Sequence, residues 1–220
     1  MVTDLLLLHT SPVHVPVFDA LRDRHHPGAV LRHLVAPELL DRARTEGPES
    51  VAPALLGLLA EAGATAGSAV GSGPGPVLVT CSTIGATAES LAAALGVPVL
   101  RVDRPMAAAA VRTGARIAVL AALESTLAPT AELLAEEAGE RPVSIRTHLV
   151  AGAWDRFEAG DTVGYLARVA EAADCVTDAD VIVLAQASMA GAAELVTSRI
   201  PVFSSPAPGL AAGLAMRSAP

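Results

Sequence analysis

The 220-residue chain has a formal net charge of −8 and 52% hydrophobic residues, enough apolar surface for one globular domain or two small ones. All fifteen basic residues are arginine, so mechanisms that need a lysine amine, such as a pyridoxal Schiff base or a phosphate-loop lysine, are excluded. The acidic balance and the five aromatic residues argue against nucleic acid or an anionic membrane surface as a partner.

The cysteine content and the apolar runs indicate a cytoplasmic protein. Cys81 and Cys175 are too few for a disulfide framework, and neither has a His or Cys partner at zinc-ligand spacing. Residues 5–8 form an apolar run that is too short for a signal peptide, and no window approaches the roughly 18 apolar residues of a membrane helix.

Apolar runs of strand character alternate with helical stretches along the chain. Strands are predicted near 4–9, 29–35, 76–81, 97–102, 116–121, 143–150, 180–185 and 200–204. Helices are predicted near 14–25, 48–63, 84–95, 105–113, 127–138, 156–173 and 189–197. The uncharged segment 67–76, rich in Gly, Ser and Pro, is predicted to be a flexible connector. This alternation is typical of an α/β fold in which parallel sheets are covered by helices on both faces.

The two halves of the chain resemble each other, which predicts an internal duplication. Three pairs of segments match in the same order: 16–21 with 129–134, 32–36 with 147–151, and 97–100 with 200–203. The third strands must then correspond as well, which makes Gln186 the counterpart of Cys81. We therefore expect two similar domains, related by a pseudo-twofold axis, to face each other across a cleft with these strand ends on its walls.

The residues around Cys81 are the first candidates for chemistry. An apolar run ends at this thiol, and the carboxyl ends of parallel strands are where ligand crevices form. Ser82 and Thr83 follow at the start of a helix, whose N–H groups and dipole favour a thiolate and can hold a carboxylate or enolate. The alternatives are a packing cysteine and ordinary N-capping by Ser82 or Thr83.

Residues at two further strand ends complete the predicted site. Gln186, Ala187 and Ser188 offer donors in the second half, equivalent to those after Cys81. Thr10 and Ser11 follow the first strand and are predicted to bind substrate near the cleft. His9 is either a proton carrier or a structural histidine.

Other ionisable residues receive weaker assignments. Glu124 falls opposite Ser11 in the repeat and is an alternative base. His33 and His148 are matched by the repeat, which predicts a shared structural role on the second strands. Cys175 is expected to be a buried or half-buried thiol at a helix end. The six histidines form no metal constellation in the sequence.

Three segments resemble the aspartate/glutamate/hydantoin racemase superfamily of cofactor-independent enzymes: residues 79–83, 184–190 and 102–106. The resemblance implies two flavodoxin-like (Rossmann-like) domains, 1–104 plus 206–220 and 105–205, with the C-terminal segment returning to the first domain. It also implies two cysteines on opposite sides of the substrate α-carbon, one removing the proton and the other returning a proton from the far face.

By this resemblance Cys81 matches the first cysteine, while Ser82 replaces the usual Asn and Thr83 matches the usual Thr. Gln186 stands at the second cysteine position, and an amide does not transfer protons near neutral pH. The resemblance thus implies an isomerase or racemase that acts on a small carboxylate or carbonyl compound without a cofactor. A decarboxylase or one-base tautomerase, or a non-catalytic protein that binds a small anion, is the alternative. The sequence leaves the oligomeric state open, a homo-oligomer included.

Overall fold

A computed structural model describes residues 4–66 and 75–216 of the chain. The chain divides into two compact units, Met1–Val102 with Pro206–Pro220 and Asp103–Ser205. The connector predicted at 67–76 lies outside the described residues except for Gly75 and Pro76. No helix in the described part of the chain is long and apolar enough to cross a membrane.

The first unit is built around a parallel sheet. Its elements are β1 (Asp4–His9), α1 (His14–His25), β2 (Val30–Val35), α2 (Pro37–Glu46), a 3₁₀ turn (Pro48–Val51), α3 (Ala52–Ala66), β3 (Val77–Val79), α4 (Ser82–Ser90), α5 (Ala92–Leu95) and β4 (Val99–Arg101). The strand order is β2-β1-β3-β4, and every neighbouring pair is parallel.

The second unit repeats this plan. Its elements are α6 (Arg104–Thr113), β5 (Arg116–Ala121), a 3₁₀ turn (Glu124–Thr126), α7 (Leu127–Ala138), β6 (Ser144–Leu149), α8 (Ala153–Glu158), α9 (Thr162–Asp174), β7 (Val181–Leu184), a 3₁₀ helix (Ala187–Glu194) and β8 (Val202–Ser204). The order β6-β5-β7-β8 is again all parallel. A final helix, α10 (Pro206–Ala215), packs in the first unit. The predicted α/β fold with parallel sheets is confirmed.

All eight predicted strands form within the described residues, and the errors concern helices. Two helices, α2 and α10, were not predicted. The first turn of α10 contains Pro206 and Pro208, which mark a loop in a sequence pattern but are tolerated where the N–H groups need no helical partner. The helix predicted at 156–173 is two helices, because the chain turns at Gly160 with φ +74°.

The hydrogen bonds of the two sheets bear out the duplication. The Thr80 N–H donates to the Leu8 carbonyl at 2.9 Å, and the Ala185 N–H donates to the Leu120 carbonyl at the same distance. Because Cys81 follows Thr80 and Gln186 follows Ala185, the two residues are backbone counterparts, as predicted.

The second strands depart from the predicted alignment by one residue. Leu8 pairs with Leu34, whereas its counterpart Leu120 pairs with His148. His148 therefore corresponds to Leu34 and not to His33. Since a shift of one residue turns a side chain to the opposite face of the sheet, the predicted shared role of the two histidines is wrong.

The two faces of the first sheet bury different side chains. Leu5, Leu7 and Leu78 pack with Phe18 of α1 and Leu210 of α10. Their alternating neighbours, among them Leu6, Leu8, Val79 and Cys81, pack instead against α2, α3 and α4. The pleat thus places the side chains of residues that are adjacent in sequence on opposite faces of the sheet.

The close approach of α10 to the strand ends predicts a strong effect of one substitution. A Cβ atom at Gly209 would clash with the Val102 carbonyl oxygen, so Gly209→Ala must displace α10 from the strand ends. We expect a loss of about 2 kcal/mol in the free energy of unfolding, measured by urea denaturation. The control is Gly57→Ala on the exposed side of α3, where no described atom outside the local helix backbone would lie within 4 Å of the added Cβ. That change should stabilise the chain by about 1 kcal/mol, and equal effects of the two variants would contradict the packing described.

Candidate active site

Cys81 lies two residues beyond β3 and is the N-cap residue of α4. Its backbone is extended, with φ −109° and ψ 116°, and its side chain is 8% exposed. The helix begins at Ser82, so Ser82 and Thr83 occupy its first turn and do not provide the predicted N-cap. Both residues are buried. The thiol therefore stands at the positive end of a helix dipole, with two hydroxyl groups in the first turn that follows it.

A buried arginine beside this first turn escaped the sequence analysis. Arg101 is 2% exposed, and its Nη2 donates to the Ser82 carbonyl at 3.4 Å. The side chain packs against Gly85, where a Cβ atom would lie 2.9 Å from the Arg101 Cβ. The pairing of β4 with β3 places this guanidinium at the helix that Cys81 caps. The Glu89 carboxylate accepts from the Arg101 backbone N–H at 2.9 Å, so a negative charge lies beside this arginine.

His9 lies on the opposite face of the sheet from Cys81. Its ring is fully buried and packs on Phe18, with 5.6 Å between the ring centroids. Its Nδ1 lies 2.8 Å from Thr80 Oγ1, and its Nε2 lies 2.8 Å from His33 Nδ1. Burial, with the nearby charges of His14 and His33, lowers the pKa of His9 to about 3. Because both ring nitrogens are engaged and the ring is sealed from solvent, the structure argues against His9 as the missing proton carrier.

His14, in the first turn of α1, is a second buried histidine. Among the described residues, neither of its ring nitrogens has a hydrogen-bond partner. Burial lowers its pKa to about 4, so the ring is neutral at pH 7. An unfolded histidine titrates near 6.5, and the unfolded chain therefore binds the extra proton between about pH 6.5 and pH 4. The free energy of unfolding therefore decreases as the pH falls through that window.

Replacing His14 by leucine should make the chain less sensitive to acid. Between pH 7 and pH 5 the His14→Leu variant should lose about 2 kcal/mol less free energy of unfolding than the natural chain, measured by urea denaturation at both values. His25→Leu, at the exposed end of the same helix, is the control and should change the loss little. An unchanged acid response in His14→Leu would show that this imidazole is not buried in the neutral form.

The corresponding strand end of the second unit is organised by Gln186. Its Oε1 accepts hydrogen bonds from the backbone N–H groups of Ala122 at 2.6 Å and Leu123 at 3.2 Å. Ala187 is buried, and the Ser188 hydroxyl lies 2.8 Å from the hydroxyl of Tyr165. Gln186 thus fixes a loop with its carbonyl oxygen, and only its amide nitrogen is left to donate to a ligand.

Tyr165 was missed by the sequence analysis. It is 1% exposed, and burial raises its pKa to about 12 despite the opposing effect of the hydrogen bond to Ser188. The phenol therefore remains protonated near neutral pH. The available signal was its status as the only tyrosine of the chain, within an amphipathic helix.

Thr10 and Ser11 follow β1 and correspond to Ala122 and Leu123, the residues after β5 that donate to Gln186. The His14 N–H donates to the Ser11 carbonyl at 3.4 Å, and the Thr126 N–H donates to the Leu123 carbonyl at 3.1 Å. Thr10 is buried and Ser11 is half-buried. Ser11 therefore corresponds to Leu123. The exposed Glu124 is displaced by one residue from its predicted position opposite Ser11.

Cys175 is exposed, contrary to the prediction of a buried or half-buried thiol. It follows the last turn of α9, as expected, and lines a cavity of about 360 Å³ within the second unit. Arg116, Arg146 and Asp178 line the same cavity and are linked by ion pairs. Across the described residues, no three His, Cys, Asp or Glu side chains are arranged to hold a metal ion.

Comparison with known proteins identifies the fold and the family. No curated protein matches the sequence. An aspartate racemase from Picrophilus torridus superimposes with a TM-score of 0.68 at 14% identity, covering 99% of this chain and 96% of that one. An allantoin racemase from Klebsiella pneumoniae gives 0.64 at 18% identity, with 99% and 90% covered. A double mutant of arylmalonate decarboxylase in a liganded form gives 0.59 at 18% identity, with 99% and 95% covered. Residues 16–212 match the family model of the Asp/Glu/hydantoin racemases, and the chain belongs to that family.

Proposed function

We propose that the chain is a cofactor-independent enzyme that transfers a proton at the α-carbon of a small carboxylate or carbonyl compound, with Cys81 as the acid and base. The observation that carries the proposal is the position of Cys81, at the carboxyl end of β3 and as the N-cap of α4. A helix N-terminus stabilises a thiolate, and the amides and hydroxyls of its first turn can hold a developing enolate. Membership of the racemase family supports this reaction class.

The duplication supports a role for Thr10 and Ser11 in binding an oxygen of the substrate. In the second unit, two consecutive backbone N–H groups hold the side-chain oxygen of Gln186. The equivalent N–H groups of the first unit belong to Thr10 and Ser11, and Cys81 carries no oxygen that would accept from them. We propose that a carbonyl or carboxylate oxygen of the substrate takes the place that the Gln186 amide oxygen takes in the second unit. A substrate held in this way lies next to the thiol.

Gln186 favours chemistry at one face of the α-carbon. Its carbonyl oxygen is engaged with the backbone, and an amide does not move a proton near neutral pH. Together with the backbone N–H groups of Ala187 and Ser188, its amide nitrogen would orient the substrate by donating hydrogen bonds. Decarboxylation followed by protonation, or a one-base tautomerisation, needs one thiol and is the second candidate function. The likeness in fold to arylmalonate decarboxylase is compatible with it.

Proton exchange in heavy water tests the proposal and separates the two reaction types. Aspartate, allantoin and an arylmalonate serve as probes, with the α-proton followed by NMR and optical purity by chiral chromatography. Exchange with loss of optical purity indicates racemisation, while exchange with retention, or deuterated product from the malonate, indicates one-face chemistry. If none of the probes exchanges or reacts faster than with Cys81→Ser, while calorimetry shows one of them to bind, the chain is a binding protein and the enzymatic proposal is wrong.

A further inference from the structure

We propose that His9 is a positioning residue for the proposed reaction, because it fixes, through Thr80, the peptide that presents Cys81. This inference rests on the proposed function. It assigns His9 a role at a distance, since its side chain lies on the α1 and α10 face of the sheet while Cys81 lies on the other.

His9 lies in a row of polar side chains that reaches the residue before Cys81. Its Nδ1 lies 2.8 Å from the Thr80 hydroxyl, and its Nε2 lies 2.8 Å from Nδ1 of His33. The Thr80 hydroxyl oxygen also lies 3.1 Å from the Leu8 carbonyl oxygen. The other nitrogen of His33 lies 3.4 Å from Asp19 Oδ1. His9 thus bridges His33 and Thr80, whichever of its nitrogens carries the proton.

Thr80 is held to β1 at three points. Its backbone N–H donates to the Leu8 carbonyl at 2.9 Å, its hydroxyl oxygen lies 3.1 Å from the same carbonyl oxygen, and the hydroxyl forms a hydrogen bond of 2.8 Å with His9 Nδ1. All of these groups are buried, so a group that loses its hydrogen-bond partner is not rehydrated by water and the loss is destabilising. The carbonyl carbon of Thr80 is bonded to the backbone nitrogen of Cys81. Holding Thr80 in place therefore also holds the backbone of Cys81, and with it the position of the thiol at the start of α4.

The second unit provides an internal control for this reading. The residues that correspond to His9 and Thr80 are Ala121 and Ala185, which have no side-chain hydrogen-bonding groups. The strands nevertheless pair in the same way, and the last rung has the same length of 2.9 Å. The fold therefore does not require the His–Thr pair. It occurs in the unit whose strand end carries the cysteine and is replaced by two methyl groups in the unit whose strand end carries Gln186.

The test measures the reactivity of the Cys81 thiol directly, in a Cys175→Ser background that leaves one cysteine. Iodoacetamide is the probe, and the alkylation rate at pH 7 is followed by mass spectrometry. Thr80→Val removes the hydroxyl at nearly constant volume and should lower the rate about tenfold. Thr80→Ser keeps the hydroxyl and should restore most of it. The matched control is Thr130→Val, a fully buried threonine of α7 whose hydroxyl has no partner among the described residues. Its rate should stay within about twofold of the background.

A second pair of variants decides the question if Thr80→Val fails to fold. Asn places an amide, which can donate or accept a hydrogen bond, near the position of the imidazole Nδ1, so His9→Asn should retain the rate, whereas His9→Leu should lower it as Thr80→Val does. Equal alkylation rates in all folded variants, with only the unfolding temperature changed, would show that the pair is merely structural. That outcome is distinct from failure of the proposed function, which would appear as Cys81→Ser retaining proton exchange whatever the alkylation rates.

Discussion

We expect the replacement of Cys81 by serine to lower the rate of α-proton exchange by a factor of about 10³. A hydroxyl in the same place does not ionise near neutral pH and is a poor proton acceptor, and removing a general acid or base typically costs 10²- to 10⁴-fold. The measurement is proton exchange into heavy water with the substrate on which the natural chain is most active.

The chain provides its own control for this substitution. Cys175→Ser removes the exposed thiol after α9 and should leave the exchange rate within about twofold of the natural chain, because surface substitutions away from a site have small effects. If Cys81→Ser folds and retains more than about a tenth of the rate, the proton is carried by another group.

Replacing Gln186 by cysteine should convert one-face exchange into racemisation. The backbone equivalence of residues 81 and 186 puts the new thiol at the second strand end, where the resemblance to the racemase family implies a second cysteine. The variant gives up the hydrogen bonds from Ala122 and Leu123, which we expect to lower the free energy of unfolding by about 1–3 kcal/mol. The measurement is loss of optical purity of a single enantiomer over time, compared with its deuterium uptake.

Gln186→Ser is the matched control, because it loses the same two hydrogen bonds without adding a thiol. It should exchange without racemising. If the natural chain already racemises as fast as it exchanges, Gln186 or another residue supplies the second proton and the one-thiol scheme is wrong. If Gln186→Cys folds and racemises no faster than Gln186→Ser, the two strand ends do not act on one substrate.

The sequence was sufficient to predict the strands, because each is a short apolar run bounded by turn residues. The repeat then predicted that Cys81 and Gln186 are counterparts, and the hydrogen bonds of the two sheets confirm it. The predicted alignment of the second strands is wrong by one residue. It was based on the identical residues around His33 and His148, whereas the strand register matches His148 with Leu34. Only the pairing with β1 and β5 reveals which face each side chain takes.

The partners of the site residues were beyond local patterns. Arg101 is buried because β4 pairs with β3, and nothing in its own segment indicates that it lies beside the first turn of α4. The hydrogen bond between His9 and Thr80 joins residues 71 positions apart in the chain. Burial and pairing of this kind come from the tertiary structure, and the proposed role of His9 as a positioning residue rests on them.

The most direct test of the account is to alkylate the Cys175→Ser protein with iodoacetamide at pH 7 and to follow both labelling and proton exchange over time. We expect one label at Cys81, with exchange activity falling in proportion to the labelled fraction. A protein that is fully labelled at Cys81 and fully active, or one that loses its activity with Cys81 unlabelled, would contradict the assignment of this thiol as the reacting group.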